Sequence, residues 1–258
     1  MCIRDSSEIG SPCAKCVARK LSGRYPKRDE GGGGWRAQVG TMGHDYLEHH
    51  FIQRFPWMFE QVEFDRPDGT IGWKWQTIPE LNPTPDAPVL YYLERKLQVW
   101  EYGGVVIERD TFNLDLNGSC DLFSRIWTPY GEIGVVTDWK FQGPNKLTET
   151  GKGKIGETYH VQMNTYGLGY ELAGFTPTHV DLHALPRDGH LDESRPVLMR
   201  YDRQVAIDAL QRIKAMIDAA AILGWEAFIA TQAKAPGCFD CDFYESVEES
   251  GFIEQLTA

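Results

Sequence analysis

Two aspartates and a lysine near the middle of the chain have the spacing of a metal-dependent hydrolytic site. Asp121 lies in one predicted strand, and Asp138 lies in the next strand, two residues before Lys140. Because side chains alternate along a strand, Asp138 and Lys140 project from the same face. Two carboxylates on adjacent antiparallel strands can share a hard cation such as Mg²⁺ or Mn²⁺, which prefers oxygen ligands. Lys140 would then orient or help to deprotonate a water and stabilise charge on a phosphate.

Each of these features also has an ordinary structural interpretation. An Asp-x-Lys triplet is often the tip of a surface strand, and Asp121 can be a turn residue. His44 lies in a predicted helix, where a histidine is more often packed or exposed than a metal ligand. Gln162 and Tyr166 are four residues apart and share one face of a predicted helix. They would contact a phosphate or orient the lysine, or else simply pack.

The six cysteines include two C-x-x-C pairs near the ends of the chain, Cys13 with Cys16 and Cys238 with Cys241. In a chain with cytosolic character, such pairs favour a metal site over a disulfide framework. Four thiolates can hold one zinc ion or a [4Fe–4S] cluster, and the spacing does not separate these two. Either group would tie the N-terminal segment to the C-terminal tail. Disulfides or free thiols are the competing interpretation, and Cys120 fits a small buried side chain.

The composition is that of a globular protein and argues against a nucleic-acid coat or carrier protein. The 258 residues, of which 42% are hydrophobic and 24% charged, are enough to bury a full core. The net charge of −11 argues against a protein that neutralises phosphates over its whole surface. An acidic chain suits an enzyme that concentrates carboxylates around a metal. The sequence contains no bilayer-spanning apolar run and no signal peptide, so we expect a cytoplasmic protein that has no membrane partner.

The predicted elements around these residues make a mixed α/β domain. The predicted helices are 13–21, 38–54, 157–174 and 202–223, and the predicted strands are 89–93, 98–102, 104–108, 119–127, 133–139, 179–184 and 197–201. Residues 65–88 contain five prolines and predict a loop or insertion. Residues 1–6 read as a translated sequencing-library adapter, so we exclude them and treat residues 7–258 as one domain.

Two of the predicted helices carry an apolar stripe that we expect to be buried. On the helix 38–54 the stripe consists of Val39, Met42, Tyr46, Leu47 and Phe51. On the helix that follows the N-cap Asp202 it consists of Ala206, Leu210, Ile213 and Ile217. Five tryptophans are candidates either for stacking unpaired bases or for anchoring the core and loops: Trp35, Trp57, Trp73, Trp75 and Trp100.

Taken in chain order, four motifs resemble the RecB-like branch of the PD-(D/E)xK nuclease superfamily. They are G-x-x-x-H ending at His44, G-x-x-D ending at Asp121, D-x-K from Asp138 to Lys140, and Q-x-x-x-Y from Gln162 to Tyr166. The chain is most similar to the CRISPR-associated exonucleases and their phage relatives, which also divide a cysteine cluster between the two ends. The resemblance runs from Cys13 to Cys241. It implies a restriction-endonuclease-like α/β core, with a mixed central β-sheet flanked by helices and termini joined by a metal cluster.

The resemblance also implies a role for each motif residue. The metal ligands for Mg²⁺ or Mn²⁺ would be His44, Asp121, Asp138 and the carbonyl of Trp139. Lys140 would be the catalytic lysine, supported by Gln162 and Tyr166. Asp138 stands where many members have glutamate, which the superfamily pattern allows. The implied group on the cysteines is iron–sulfur, although members typically place one cysteine in front and three behind, whereas this chain has two and two.

The activity that the resemblance implies is a metal-dependent deoxyribonuclease, acting as an exonuclease on single-stranded DNA ends in recombination, repair or phage DNA processing. The alternative is a catalytically silent DNA-binding or scaffold protein that keeps the nuclease fold and the cysteines. A scaffold has no need for His44, Asp121, Asp138 and Lys140 together, which argues against it. A zinc-ribbon regulator is disfavoured by the acidic charge and the lack of a basic recognition helix. The sequence names no protein partner.

Overall fold

The chain alternates helices and strands around one central sheet. A computed structural model describes residues 6–23, 35–66, 68–98, 101–102, 105–106 and 117–249. The helices are α1 (Ser6–Ile9), α2 (Ala14–Ser22), α3 (Trp35–Arg54), α4 (Pro144–Gly151), α5 (Glu157–Leu172), α6 (Arg203–Leu223), α7 (Trp225–Thr231) and α8 (Phe239–Glu249). The strands are β1 (Phe59–Asp65), β2 (Ile71–Thr77), β3 (Val89–Gln98), β4 (Glu101–Tyr102), β5 (Val105–Val106), β6 (Asn117–Thr128), β7 (Gly131–Gln142), β8 (Pro177–Pro186) and β9 (Arg195–Arg200).

The central sheet has five strands in the order β3-β6-β7-β8-β9. The pairing of β7 with β8 is parallel, and the other three pairings are antiparallel. The parallel pair needs a crossover, and α4 and α5 form it. The turn at Pro129 and Tyr130 joins β6 to β7 as predicted, with Gly131 in a positive-φ conformation. The predicted mixed α/β fold, with a mixed sheet flanked by helices, is confirmed.

Helices cover both faces of the sheet, and each face has its own core. On one face Tyr170 of α5 stacks on Phe123 of β6, with ring centroids 4.0 Å apart. On the other face Phe51 of α3 stacks on Trp139 of β7 at 5.8 Å. Buried aromatic side chains of this kind remove a large apolar area from water. Strand β7 is therefore held between α3 and α5, and both helices approach the end of the strand that carries Asp138.

A further apolar core joins α6 to the terminal helices α2 and α7. The predicted stripe of α6 is confirmed, because all four of its residues are buried: Ala206, Leu210, Ile213 and Ile217. The predicted N-cap is confirmed as well, since the Asp202 side chain accepts a hydrogen bond from the backbone N–H of Gln204 at 2.9 Å.

The predicted stripe on α3 is wrong at two positions. Met42 is 60% exposed and Tyr46 is 63% exposed. The helix instead contacts the sheet side through Gly43, Leu47 and Phe51, a row with i, i+4, i+8 spacing. The first residue of this row is a glycine, which has no apolar side chain and so does not contribute to a hydrophobic pattern. The sequence therefore favoured the neighbouring row that holds Met42 and Tyr46.

The segment 65–88, predicted as a loop or insertion, contains the strand β2. It pairs antiparallel with β1 over seven residues and forms a separate two-stranded sheet. The aromatic residues Trp57, Trp73 and Trp75 are exposed on or beside this hairpin, which excludes the core interpretation for them. Strand β2 carries Ile71, Trp73 and Trp75 at every second position, but this apolar row is exposed, and the prolines on either side of the strand favoured a loop in the sequence.

The strand predictions between residues 89 and 108 were only partly right. The structure has a continuous β3 from Val89 to Gln98 and two short strands, β4 and β5, while residues 99–100, 103–104 and 107–108 lie outside the described part. Residues 1–5 of the predicted adapter segment, Trp100 and the side chain of Trp35 lie outside it as well. Among the described residues, no helix has the length and apolar character needed to span a membrane.

Candidate active site

Strands β6 and β7 separate at the position of the two aspartates. Their paired register ends with Leu122 opposite Thr137. Beyond this point the carboxylate of Asp121 accepts the backbone N–H of Trp139 through Oδ2 at 2.7 Å. A buried N–H needs a partner, and here a side chain supplies it. This hydrogen bond fixes Asp121 beside the segment of β7 that carries Asp138.

Asp138 is buried to 1% exposure and forms a close ion pair with Lys140. The ammonium Nζ lies 3.0 Å from Oδ1 and 2.8 Å from Oδ2, so the two side chains share a face of β7. Burial raises the pKa of Asp138 to about 6, with the positive charge of Lys140 lowering it and the nearby charge of Asp121 raising it. Asp138 therefore lies close enough to Asp121 and Lys140 for their charges to act on it.

Lys140 is also in contact with an aromatic residue that the sequence analysis did not identify. Its Nζ lies 5.6 Å from the ring centroid of Tyr159, on the first turn of α5. Burial alone would lower the pKa of Lys140, but the charge of Asp138 outweighs burial and raises it. Tyr159 precedes Gln162 by three residues, so helical spacing from the Q-x-x-x-Y motif was the signal that would have found it.

His44 of α3 completes the group from the opposite face of the sheet. Its Nδ1 lies 3.1 Å from Oδ1 of Asp121. The imidazole ring also packs edge-on to Trp139 at 6.0 Å and against Phe141 at 5.7 Å. Burial would lower the pKa of His44, but the hydrogen bond and charge of Asp121 raise it overall. One aspartate therefore connects the histidine on α3 to the backbone of β7.

A close helix–strand approach at Gly43 positions His44. A Cβ built on Gly43 would lie only 2.2 to 2.7 Å from atoms of the Phe141 ring. Either α3 or the Phe141 ring would have to move. His44 belongs to α3 and packs against that ring, so either movement would displace it. Gly40, the glycine of the predicted G-x-x-x-H motif, has no such neighbour within 4 Å. The glycine that matters for the geometry is therefore Gly43.

With the metal-dependent DNA cleavage that the sequence resemblance implies as the measured activity, replacing Gly43 by alanine is expected to lower the rate on the order of 10- to 100-fold, since a displacement near 1 Å at a reacting centre has costs of this size. The matched control is Gly40→Ala. It places a Cβ in open space and should stabilise α3 by about 0.5–1 kcal/mol without changing the rate. Cleavage rates and thermal melting of both variants check this prediction, and equal rates for the two would contradict it.

Gln162 and Tyr166 form a buried pair on α5. The amide Nε2 of Gln162 donates a hydrogen bond to the hydroxyl of Tyr166 at 2.8 Å. The acceptor Oε1 of Gln162 is buried without a partner among the described residues. Such an atom gives the helix a spare acceptor facing the interior. The predicted support of Lys140 by this pair stays a prediction.

The grouped side chains suit a hard divalent cation. His44 contacts Asp121, and the charges of both act on Asp138, so two carboxylates and one imidazole lie in the same neighbourhood with oxygen donors in the majority. Among the described residues, however, the four cysteines are the group whose ligand atoms are already clustered closely enough to hold one ion. The carboxylate of Asp138 is paired with the flexible side chain of Lys140. If the ammonium moved slightly, one oxygen of Asp138 would become available to a metal ion. The donor types therefore suit Mg²⁺ or Mn²⁺, and binding of one ion by all three residues stays a prediction. The carbonyl of Trp139 as a further ligand stays a prediction.

The structure also brings the four predicted cysteines together, away from the aspartates. The sulfurs of Cys13, Cys16, Cys238 and Cys241 all lie within 4.8 Å of one another, and none of the four forms a disulfide. This confirms that the two C-x-x-C pairs meet where the N-terminal and C-terminal segments join. Cys120 is buried on β6 and lies outside this group, as predicted.

No protein-family model and no curated protein matches the sequence. Among solved structures, the chain is similar to two of an alkaline exonuclease from Laribacter hongkongensis, one of them in complex with dAMP. They share 12% and 11% identity over 87% of this chain and 87% of theirs, each with a TM-score of 0.43. A protein of Eubacterium rectale assigned as an exonuclease has 13% identity over 93% of this chain and 87% of its own, with a TM-score of 0.42.

Proposed function

We propose that the protein is a Mg²⁺- or Mn²⁺-dependent deoxyribonuclease that hydrolyses phosphodiester bonds. The observation that carries this proposal is the grouping of four residues at one strand end. His44 contacts Asp121, Asp121 is hydrogen-bonded to the backbone of β7, and Asp138 on that strand is paired with Lys140. Two carboxylates, one imidazole and one ammonium in a buried setting are the groups that metal-assisted hydrolysis of a phosphate ester requires.

His44, Asp121 and Asp138 would hold the metal ion. When bound, Mg²⁺ or Mn²⁺ supplies an activated water and neutralises negative charge on the phosphate. The protein's own part is to keep the ligands in place before substrate arrives. The N–H of Trp139 fixes Asp121, while the rings of Trp139 and Phe141 fix His44. Preorganised ligands of this kind avoid the cost of ordering them during the reaction.

Lys140 acts in this proposal as a fixed positive charge. Its raised pKa keeps the ammonium protonated at neutral pH, because Asp138 lies beside it. A protonated lysine orients the attacking water and stabilises the charge that develops on the phosphate oxygens. A role of Lys140 in helping to deprotonate the water, which the sequence analysis also allows, stays a prediction.

The finer proposal is that the substrate is single-stranded DNA attacked from an end, as in recombination, repair or phage DNA processing. A pocket of about 260 Å³ lies between α3 and the ends of β7 and β8, and its lining includes Gly43, which precedes His44, but none of the four site residues. It is mostly apolar, with one basic side chain, and its lining includes Val39, Met42, Tyr46, Phe141, Arg187 and Leu191. An exposed aromatic ring such as Tyr46 can stack an unpaired base, and a basic side chain can contact the backbone phosphate.

Comparison of linear and circular single-stranded DNA tests this function. Purified protein is incubated with Mn²⁺ and equal amounts of each substrate, and the products are separated by size. We expect the linear DNA to be degraded to short products and the closed circle to remain intact, because an exonuclease needs an end. Cleavage of the circle would contradict exonuclease action but would still support a nuclease, in this case an endonuclease. Binding of both substrates with cleavage of neither would support the catalytically silent alternative and overturn the proposal.

A further inference from the structure

The four-cysteine site has the dimensions of a single metal ion. The sulfurs of Cys13 and Cys241 lie 3.5 Å apart, and those of Cys16 and Cys238 lie 3.6 Å apart. All four sulfurs lie within 4.8 Å of one another. A zinc–sulfur bond of about 2.3 Å in a regular tetrahedron places neighbouring sulfurs roughly 3.8 Å apart. The observed spacings are close to that value.

A [4Fe–4S] cluster, the group that the sequence resemblance implies, does not fit this spacing. In such a cluster each of the four cysteines binds a different iron at a separate corner. The cysteine sulfurs around such a cluster therefore lie on its outside, each one iron–sulfur bond beyond its own iron. Their separation exceeds the 4.8 Å found here. Seating it would require the two C-x-x-C segments to move apart, and both segments are anchored by packing.

The anchoring comes from two helix starts that face the site. Cys13 caps α2 and Cys16 lies in its first turn, while Cys238 directly precedes α8 and Cys241 lies in its first turn. Free N–H groups and the helix dipole at such positions favour thiolate anions. The backbone N–H of Ala235 also donates a hydrogen bond to the sulfur of Cys13 at 3.3 Å. A backbone N–H donor thus supports the sulfur of Cys13, and the helix starts orient the other three cysteines toward it.

The site is largely closed to solvent, since three of its four cysteines are buried and Cys238 is half-buried. Cys13 and Cys16 are 2% exposed and Cys241 is fully buried, with Phe243 and Tyr244 packed around them. Structural zinc sites are closed in this way and have four protein ligands, whereas catalytic sites keep one position open. We infer that Cys13, Cys16, Cys238 and Cys241 bind one zinc ion as a structural clasp between the chain ends. This inference is independent of the proposed nuclease activity.

Metal analysis of the purified full-length protein tests the inference. The protein is prepared without oxygen, so that an iron–sulfur cluster would survive, and is analysed for zinc, iron and acid-labile sulfide. We expect about one zinc per chain, little iron and no labile sulfide. Iron with labile sulfide in place of zinc would overturn the inference, and so would one iron per chain. Cobalt exchanged into the protein should give the visible spectrum of a tetrahedral tetrathiolate, and an octahedral spectrum would count against it.

Two variants separate the clasp from general effects of cysteine replacement. Cys238→Ser is expected to lower zinc content at least several-fold, because one of the four ligands is lost. Cys120→Ala removes a buried cysteine outside the site and should retain about one zinc per chain. Equal zinc content in both variants would contradict the assignment. If Cys238→Ser is insoluble, the metal, sulfide and cobalt measurements on the unaltered protein still decide between zinc and iron–sulfur.

Discussion

Asp138→Asn is expected to reduce metal-dependent DNA cleavage by at least about 10³-fold, since the loss of several kcal/mol of transition-state stabilisation has this effect on rate. Asparagine has nearly the same shape as aspartate but lacks the negative charge that binds a divalent ion. The substitution also frees Lys140 from its ion pair, so the ammonium is no longer held at 2.8 to 3.0 Å from residue 138. The charged ligand is lost, and the lysine keeps at most one neutral acceptor in place of a carboxylate.

The fold should survive this substitution. Burial penalises the charged form of Asp138, as its raised pKa indicates, so a neutral amide removes an unfavourable buried charge. The partly exposed Lys140 side chain can turn toward water. A matched control is Asp181→Asn, an aspartate buried on the adjacent strand β8 outside the site. Cleavage and melting are measured for both variants, and similar cleavage by Asp138→Asn and the unaltered protein would contradict the assigned role.

Cys241→Ser is expected to lower the free energy of unfolding by at least about 3 kcal/mol, because structural zinc sites contribute far more than this to the folding of small domains. In a chain of this size that loss corresponds to a decrease in Tm of roughly 5–10 °C. The N-terminal helices should be released first, since α2 is joined to α8 through the four sulfurs. Limited proteolysis should accordingly cut near the N-terminus before the central sheet is attacked.

Two comparisons distinguish loss of the clasp from loss of packing. Cys120→Ala also removes a buried sulfur, but it should cost about 1 kcal/mol because it leaves only a small cavity. A strong zinc chelator added to the unaltered protein should reproduce the decrease in Tm seen with Cys241→Ser, and it should have little further effect on that variant. An unchanged Tm for Cys241→Ser would rule out a stabilising metal at this site.

The sequence predicted best where residue spacing reflects the periodicity of one element. The alternation along β7 correctly placed Asp138 and Lys140 on one face, and the 3.6-residue period gave the buried stripe of α6. The two C-x-x-C pairs were matched across more than two hundred residues because paired cysteines at both ends have few other uses. In each case a local chemical pattern carried the information.

The parts that were missed depend on contacts between elements. The orientation of α3 depends on the approach of Gly43 to Phe141, and a glycine is invisible to a hydrophobic pattern. Tyr159 reaches Lys140 only because α5 crosses the end of β7. The alternating Ile71, Trp73 and Trp75 of β2 were overlooked because prolines flank the strand, and this apolar row is exposed and not packed on the core. The spacing of cysteines along the chain also carries no sulfur–sulfur distance, which is what favours zinc over a cluster.

The most direct test of the central claim is cleavage of end-labelled single-stranded DNA by the unaltered protein, with Mn²⁺ and with EDTA. Our account predicts that the label is released in Mn²⁺, that EDTA stops the release, and that added Mn²⁺ restores it. EDTA could also remove zinc from the four cysteines, which would lower the Tm. It is therefore applied for a time too short to change the Tm, so that it acts on the ion held by His44, Asp121 and Asp138. Release of the label that persists in EDTA, or its absence with every divalent ion tested, would contradict the account.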